Sequence, residues 1–503
     1  MSWIAIKRAA LSIITALVLV VMGTSLVSSW QQPQVTGELQ LYQSNLLLQA
    51  SEWQGEGLSE TDQQRVRAAL LGQTPLSSVM EDYEALKDEA AQTLVRSQST
   101  LTTLEAAPDP KSTSQIRQVI SQQQALIARM DIRLGLLAAE QSDVEAALAR
   151  WQAVADSADT PSALAATATT LGSIWHGTPP PEAETILQKN LDGWFRNRAL
   201  EHLYTQQSQT PDLKQLAQQE QATAQTTLLK LVAISLLPSI GGVIGVVLLL
   251  ILAVQWFSRR QQSLLAQKLE AWRVPWGGET TWQVMMVGFF FVGQFLLPLV
   301  LGGLGVSALA TTSRGRALFS MSYYVLMAAS GIAVLFFSIR AFRPLPEGWF
   351  RFKLFDRWPL WGIGGYLTAL PIMLGVSFLN QQFWQGQGGS NPLLQTVVEE
   401  SDPIALIIFF LTAAVAAPLF EEFLFRGFLL PSLTRYMPVW GAMLLSSFIF
   451  AAAHLSLSEV VPLMTLGFIL AFVYVRSRNL LAPMLLHSAW NSVTMLGLFL
   501  LGS

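Results

Sequence analysis

The chain has 503 residues, of which 51% are hydrophobic and only 13% charged. That is roughly half the charged share, about a quarter, of a soluble domain, and with a mean hydropathy of +0.39 it marks a membrane protein. The formal net charge of −3 gives no global case for binding nucleic acid, and the lack of any cysteine excludes a disulfide framework, a cysteine nucleophile and thiolate zinc sites.

About 20 helical residues cross the hydrocarbon core of a bilayer. Apolar runs near 4–27, 230–257, 281–306, 318–339, 359–379, 404–425, 438–454, 460–475 and 481–501 predict nine spans, one before a long polar stretch and eight after it. The expected organisation is an N-terminal signal anchor or signal peptide (1–30), an extramembrane helical domain (31–225), additional membrane helices (226–345) and a membrane catalytic core (346–503). The first run follows Lys7-Arg8. Its apolar stretch from Ile13 to Val27 is at or beyond the ~7–15 residues of a cleavable signal core, which favours a retained anchor, although Ser28-Ser29 offers a cleavage site.

Residues 31–225 are rich in Ala, Leu, Gln and Glu, lack β-branched runs, and confine their breakers to Pro75, Pro108-Pro110, Pro161, Pro179-Pro181 and Pro211. They predict helix throughout. Ile127, Met130, Leu134 and Leu137 recur at helical spacing. From Leu134-Gly135 through Ala147 to Trp151 the pattern resembles one tetratricopeptide unit, whose small residues let two helices pack closely. A second clean unit is absent, so an irregular helical-hairpin domain and a short repeat array both fit. Either form suits contact with a protein partner better than chemistry. His176 and His202 lie in this region without metal-ligand companions and read as surface or packing residues.

Lys and Arg in short loops set membrane orientation. Lys7 and Arg8, then Arg259, Arg260, Lys268 and Arg273, then Arg340, Arg343, Arg351, Lys353 and Arg357, then Arg435, then Arg476 and Arg478 all fall on one side if there are nine spans. The opposite loops hold only Arg314 and Arg316 in 307–317 and none in 380–402. The N-terminus is therefore expected in the cytoplasm and 31–225 outside it. Residues 258–279 read as a basic, partly amphipathic segment through Trp272 lying at the cytoplasmic interface. In Glu399-Glu400-Ser401-Asp402-Pro403, Asp402 is placed to cap the next helix.

Chemistry concentrates in the last third. In AAVAAPLFEEFLFRG (413–427), two glutamates and an arginine sit in an apolar span, where a central charge costs roughly 2.5–3.5 kcal/mol. Glu422 and Arg426 share a helix face in the favourable order for an ion pair. Glu421 is turned about 100° away, without a basic neighbour on its own helix, and an unpaired, desolvated carboxylate is a stronger base toward water. Pro418 removes a backbone donor beside it and loosens the ladder there. Further on, Phe450 and His454 are one turn apart, as are His487 and Asn491. A carboxylate and a histidine can polarise water, while a second histidine and an amide can donate to a developing oxyanion. Ser446, Ser447 and Ser456 lie nearby, but none sits in a recognisable nucleophile motif.

Glu-Glu-x-x-x-Arg at 421–426, Phe-x-x-x-His at 450–454 and His-x-x-x-Asn at 487–491, with the turn Arg-Ser-Arg-Asn-Leu-Leu-Ala-Pro before the last, resemble the three motifs of the CPBP family. Its members include the type II CAAX prenyl endopeptidases, bacterial Abi proteins and bacteriocin-processing or immunity proteins. The resemblance covers roughly 350–503. It implies an all-α polytopic bundle and an intramembrane endopeptidase acting on membrane-embedded or membrane-associated peptides. In that scheme Glu421 and His454 activate water, His487 and Asn491 support the oxyanion, Glu422–Arg426 is a structural pair and Phe450 packs the motif. The family is often labelled metalloprotease; Glu421, His454 and His487 would be the ligands of a Zn2+ ion, though no HExxH motif is present.

A second reading makes the same residues a structural ion pair and hydrogen-bonded bundle histidines in a scaffold, immunity or transport-type protein. Transporters also bury charge near the midplane, but inverted repeats are not evident here. Helix rise places His454 about 21 Å and His487 about 12 Å along their helices, so bringing them together requires tilt or a helix that begins below the interface.

Overall fold

The computed structural model describes residues 3–502 except 31–33, 35, 56–58, 73, 107–109, 260–262, 266–268, 306–309 and 385–386. Arg260, Lys268 and Pro108, named above, lie outside the described residues. Every regular element among the described residues is helical. The chain divides into two compact units: Met1–Val35 with Leu237–Ser503, and Thr36–Leu236.

Within Thr36–Leu236, the long helices Pro75–Ala106 and Pro110–Glu140 pair, and the shorter Val144–Asp156, Ser162–Trp175, Ala183–Asn190 and Gly193–Gln206 follow. Leu134, Leu137, Trp151, Leu187, Trp194 and Phe195 form its core. The residues of the tetratricopeptide-like pattern lie on two consecutive helices, Pro110–Glu140 and Val144–Asp156. Asp143 accepts Ala146 N–H to start the second helix, Ala147 is fully buried, and the Trp151 indole donates to Ile132 O at 3.1 Å. A Cβ built on Gly135 would lie 2.3 Å from Trp151 Nε1, so only glycine lets the indole pass. Gly135→Val is expected to destabilise this unit by about 1–3 kcal/mol, read as a lower melting temperature of its transition in the full-length protein.

Both histidines of this unit serve structure. His176 ends the helix Ser162–Trp175. His202 stacks on Trp175 (4.1 Å, 9°), and its Nε2 lies 3.1 Å from the Gln206 amide nitrogen, which can donate to it. Burial lowers the affinity of this imidazole for a proton, and Glu201 opposes that effect. The folded form thus binds the proton less tightly than the unfolded chain. Its contribution to stability is full above the unfolded value of about 6.5 and is lost as pH falls through the lowered folded value. Thermal unfolding of this unit should shift downward between about pH 7 and pH 5, and His202→Phe, which keeps the stack, should flatten that dependence.

Among the described residues, eight helices are long and apolar enough to cross a membrane by length and composition: Ile4–Ser29, Thr210–Ser258, Gly278–Gly303, Ser313–Phe342, Trp358–Trp384, Pro403–Leu433, Leu457–Ser477 and Leu481–Gly502. The second of these is shared with the polar unit. The run expected as a span at 438–454 forms the shorter helix Val439–Ala452, of 14 residues, about 21 Å long beside a hydrocarbon core of about 30 Å. It packs along Leu457–Ser477, which in turn packs on Trp358–Trp384.

The loops sort by charge. At one end of the bundle, Lys7 and Arg8 pair with Glu279, Arg435 donates to Trp276 O, Arg476 to Leu265 O, and Leu480 N–H to Arg351 O. At the other end, Leu457 N–H donates to Ser29 Oγ, Trp30 meets Trp384, Asn391 N–H donates to Glu459, and Arg314 pairs with Asp402 at 2.6 Å. Asp402 also caps Pro403–Leu411 through Ile404 N–H, as its position before Pro403 predicts.

The segment before Gly278 packs onto the bundle. Its indoles face inward: Trp272 and Trp276 are buried, while Glu270, Ala271, Arg273 and Pro275 are exposed. Trp272 stacks on Tyr474 (5.5 Å, 12°) with the Arg478 guanidinium 3.6 Å from its ring centre.

Candidate active site

Pro403–Leu433 is not a uniform α-helix. Thr412–Ala416 and Glu422–Leu429 are wound as π-helix, with a short α-helical turn Ala417–Glu421 between them. Such turns are rare and gather at functional sites. Pro418, five residues after Ala413, has no N–H to close a π-type bond, and the carbonyl of Ala413 accepts Asn491 Nδ2 at 2.7 Å instead. The local loosening expected from the proline thus serves to dock the last helix, Leu481–Gly502.

Glu422 is fully buried and Arg426 nearly so. Arg426 Nη1 donates to Glu422 Oε1 at 2.8 Å and Nη2 to Gly467 O at 3.0 Å, while the guanidinium carbon sits 4.5 Å from the centre of the Phe450 ring. Glu422 has a second partner that same-helix spacing does not reveal. His487 Nδ1 lies 2.9 Å from Glu422 Oε1. An ionised carboxylate only accepts, so Nδ1 carries the proton, and in the neutral ring Nε2 presents its lone pair.

That Nε2 lies 3.9 Å from Glu421 Oε2, a gap across which one water can hydrogen-bond to both groups. The other oxygen of Glu421 accepts the Tyr324 hydroxyl at 3.0 Å. His454 lies just beyond the end of Val439–Ala452, its Nδ1 2.9 Å from Phe450 O, which can only accept; Nε2 is therefore the open nitrogen. Among the described residues His454 makes no hydrogen bond or ion pair with Glu421 or His487. Phe450 joins them: its ring centre is 5.0 Å from that of His454 and 5.9 Å from that of His487. The depth mismatch expected from helix rise is spanned by this phenyl ring, with His454 toward the loop-capped end and His487 nearer the basic end.

All seven residues singled out in the sequence, Glu421, Glu422, Arg426, Phe450, His454, His487 and Asn491, lie in this neighbourhood. Tyr324 and Glu459 were not singled out. Tyr324 lies within the apolar run 318–339, where a tyrosine hydroxyl needs a partner. Glu459, which accepts Asn391 N–H at 2.8 Å, is an acidic neighbour of His454. Among the described residues no group of three or more His, Cys, Asp or Glu side chains is placed to hold a metal ion. Glu421, His454 and His487 do not form a closed ligand set here, and no step below runs through a metal.

Residues 403–493 match the family described as type II CAAX prenyl endopeptidase, Rce1-like, and the match encloses all three motifs. The "Putative membrane peptidase YdiL" of Bacillus subtilis (strain 168) is 26% identical over 133 residues, 26% of this chain and 53% of that protein. The "Membrane-embedded CAAX protease MroQ" of Staphylococcus aureus (strain USA300) is 27% identical over 137 residues, 26% of this chain and 54% of that protein. An "Uncharacterized 24.3 kDa protein" of Escherichia coli is 34% identical over 103 residues, 20% of this chain and 48% of that protein. The chain thus spans about half the length of the curated relatives it matches. No solved structure matches it. Tyr324 and the polar unit lie outside the Rce1-like region.

Proposed function

We propose that the chain is an intramembrane endopeptidase that hydrolyses peptide bonds of membrane-associated substrates with a water activated by Glu421. The observation that carries this reading is the facing pair Glu421 Oε2 and His487 Nε2, 3.9 Å apart, inside the region that matches the Rce1-like family. Glu421 takes a proton from the water as its oxygen attacks the scissile carbonyl carbon. Donors beside the site stabilise the oxyanion; the candidates are the His487 imidazole when protonated and the second Asn491 amide hydrogen. Glu421 then returns the proton to the departing amine as the C–N bond breaks. His454, with Nε2 open, polarises the water or the substrate carbonyl from the other side of Phe450.

The segregation of basic loops supports a cytoplasmic N-terminus, with the helical unit outside the cytoplasm. Ties at both ends of the first helix, from Lys7 and Arg8 to Glu279 and from Leu457 to Ser29, support a retained anchor. The polar unit is the surface on which a protein partner or substrate would be recruited. The test is a comparison of peptide termini in the membrane proteome of cells carrying the wild-type chain or Glu421→Gln. Termini present only with the wild type are expected; identical sets would leave the scaffold reading in possession.

A further inference from the structure

A carboxylate that serves as a base must offer one defined oxygen. The terminal torsion of a glutamate is soft and two-fold, so a carboxylate held only by its chain exchanges its two oxygens freely. Glu421 is not held in that way. Its Oε1 accepts the Tyr324 hydroxyl at 3.0 Å; the phenol has one hydrogen, and the ionised carboxylate can only accept it. The Ala417 carbonyl, 3.5 Å from the same hydroxyl, is the more distant acceptor. The ring is fixed edge-on to Phe420 (6.2 Å, 84°), the residue just before Glu421. With Oε1 held, Oε2 is the oxygen left facing His487.

Tyr324 comes from the helix Ser313–Ile339, 97 residues before Glu421 and outside the 403–493 match. The membrane helices between the polar unit and the Rce1-like region therefore reach the reacting carboxylate. We propose that Tyr324 is a positioning residue for Glu421, so that the site of this chain is completed by a helix outside its family-matched region. This inference rests on Glu421 being the base, and its test is arranged to separate the two.

Tyr324→Phe keeps the ring against Phe420 and removes only the hydroxyl. Infrared spectra of the full-length protein in lipid nanodiscs would be recorded for wild type and Tyr324→Phe, each also in a Glu421→Gln background. A carboxylate-stretch difference between wild type and Tyr324→Phe that vanishes in the Glu421→Gln background is expected, with the melting temperature unchanged. In cells, termini that depend on Glu421 should fall at least tenfold in Tyr324→Phe. The proposal is overturned if the spectra are the same, and equally if they differ but those termini stay within twofold of wild type. If Glu421→Gln itself alters no termini, the proteolytic reading fails and the positioning role fails with it, even where the infrared contact is seen. Loss of termini in Glu421→Gln but not in Tyr324→Phe sinks the Tyr324 role alone.

Discussion

Glu421→Gln is expected to lower the yield of Glu421-dependent peptide termini by about 10²–10⁴-fold, the usual range for removing a general base, while membrane insertion and thermal stability change little. The amide is nearly the same shape and can still meet the Tyr324 hydroxyl at Oε1, so packing beside Phe420 is retained. What disappears is the capacity to accept a proton from water and return it to the leaving amine. His454→Ala should also abolish cleavage. It removes an open nitrogen beside Phe450 at the end of a helix and leaves the buried Glu422–Arg426 pair untouched. If Glu421→Gln kept full activity, the chemistry would have to be moved elsewhere.

Glu422 is expected to behave differently, because it has two tasks. Glu422→Ala leaves the Arg426 guanidinium buried with only the Gly467 carbonyl and the Phe450 ring for company. Breaking a buried pair on one side costs about 3–5 kcal/mol, measurable as loss of the folded fraction in denaturant or a lowered melting temperature. Replacing both partners with apolar residues of similar volume, as in Glu422→Met with Arg426→Leu, should recover much of that stability, since buried pairs are often replaceable at little net cost. The double variant should still be inactive. His487 Nδ1 would have lost its acceptor at 2.9 Å, and with it the fixed tautomer and orientation that aim Nε2 at Glu421. Restored folding with restored activity would make Glu422 a brace only.

The sequence made the helical class, the polar unit and the seven motif residues legible for a common reason. Each rests on spacing along one helix or on order along the chain. Its failures share a cause too. The pairing of Glu422 with Arg426 follows from four-residue spacing, but its bond to His487 depends on how Leu481–Gly502 crosses Pro403–Leu433. The role of Tyr324 depends on a third helix nearly 100 residues away. The partners of Trp272 were not legible either, because the hydropathy of a segment records its composition alone; Tyr474 and Arg478 supply them from the end of Leu457–Ser477 and the residue after it. The helix Val439–Ala452 is shorter than its apolar run because the backbone ends it before Ala453 and turns at His454.

The π-helical turns carry a consequence for how this region tolerates insertion and deletion. A π turn holds more residues than an α turn, so it accommodates a residue that a regular helix would have to expel. Deleting one residue after Arg426, for example Phe428 within Glu422–Leu429, offers the backbone a return to α-helical spacing. The residues downstream to Leu433 would then keep their faces, because the lost residue is the one the wide turn had absorbed, whereas the same deletion from a regular α-helix would turn them by about 100°. Length variation among chains similar to 403–493 is therefore expected to concentrate in these wide turns, and aligning such chains by α-helical periodicity would misplace the residues that follow them.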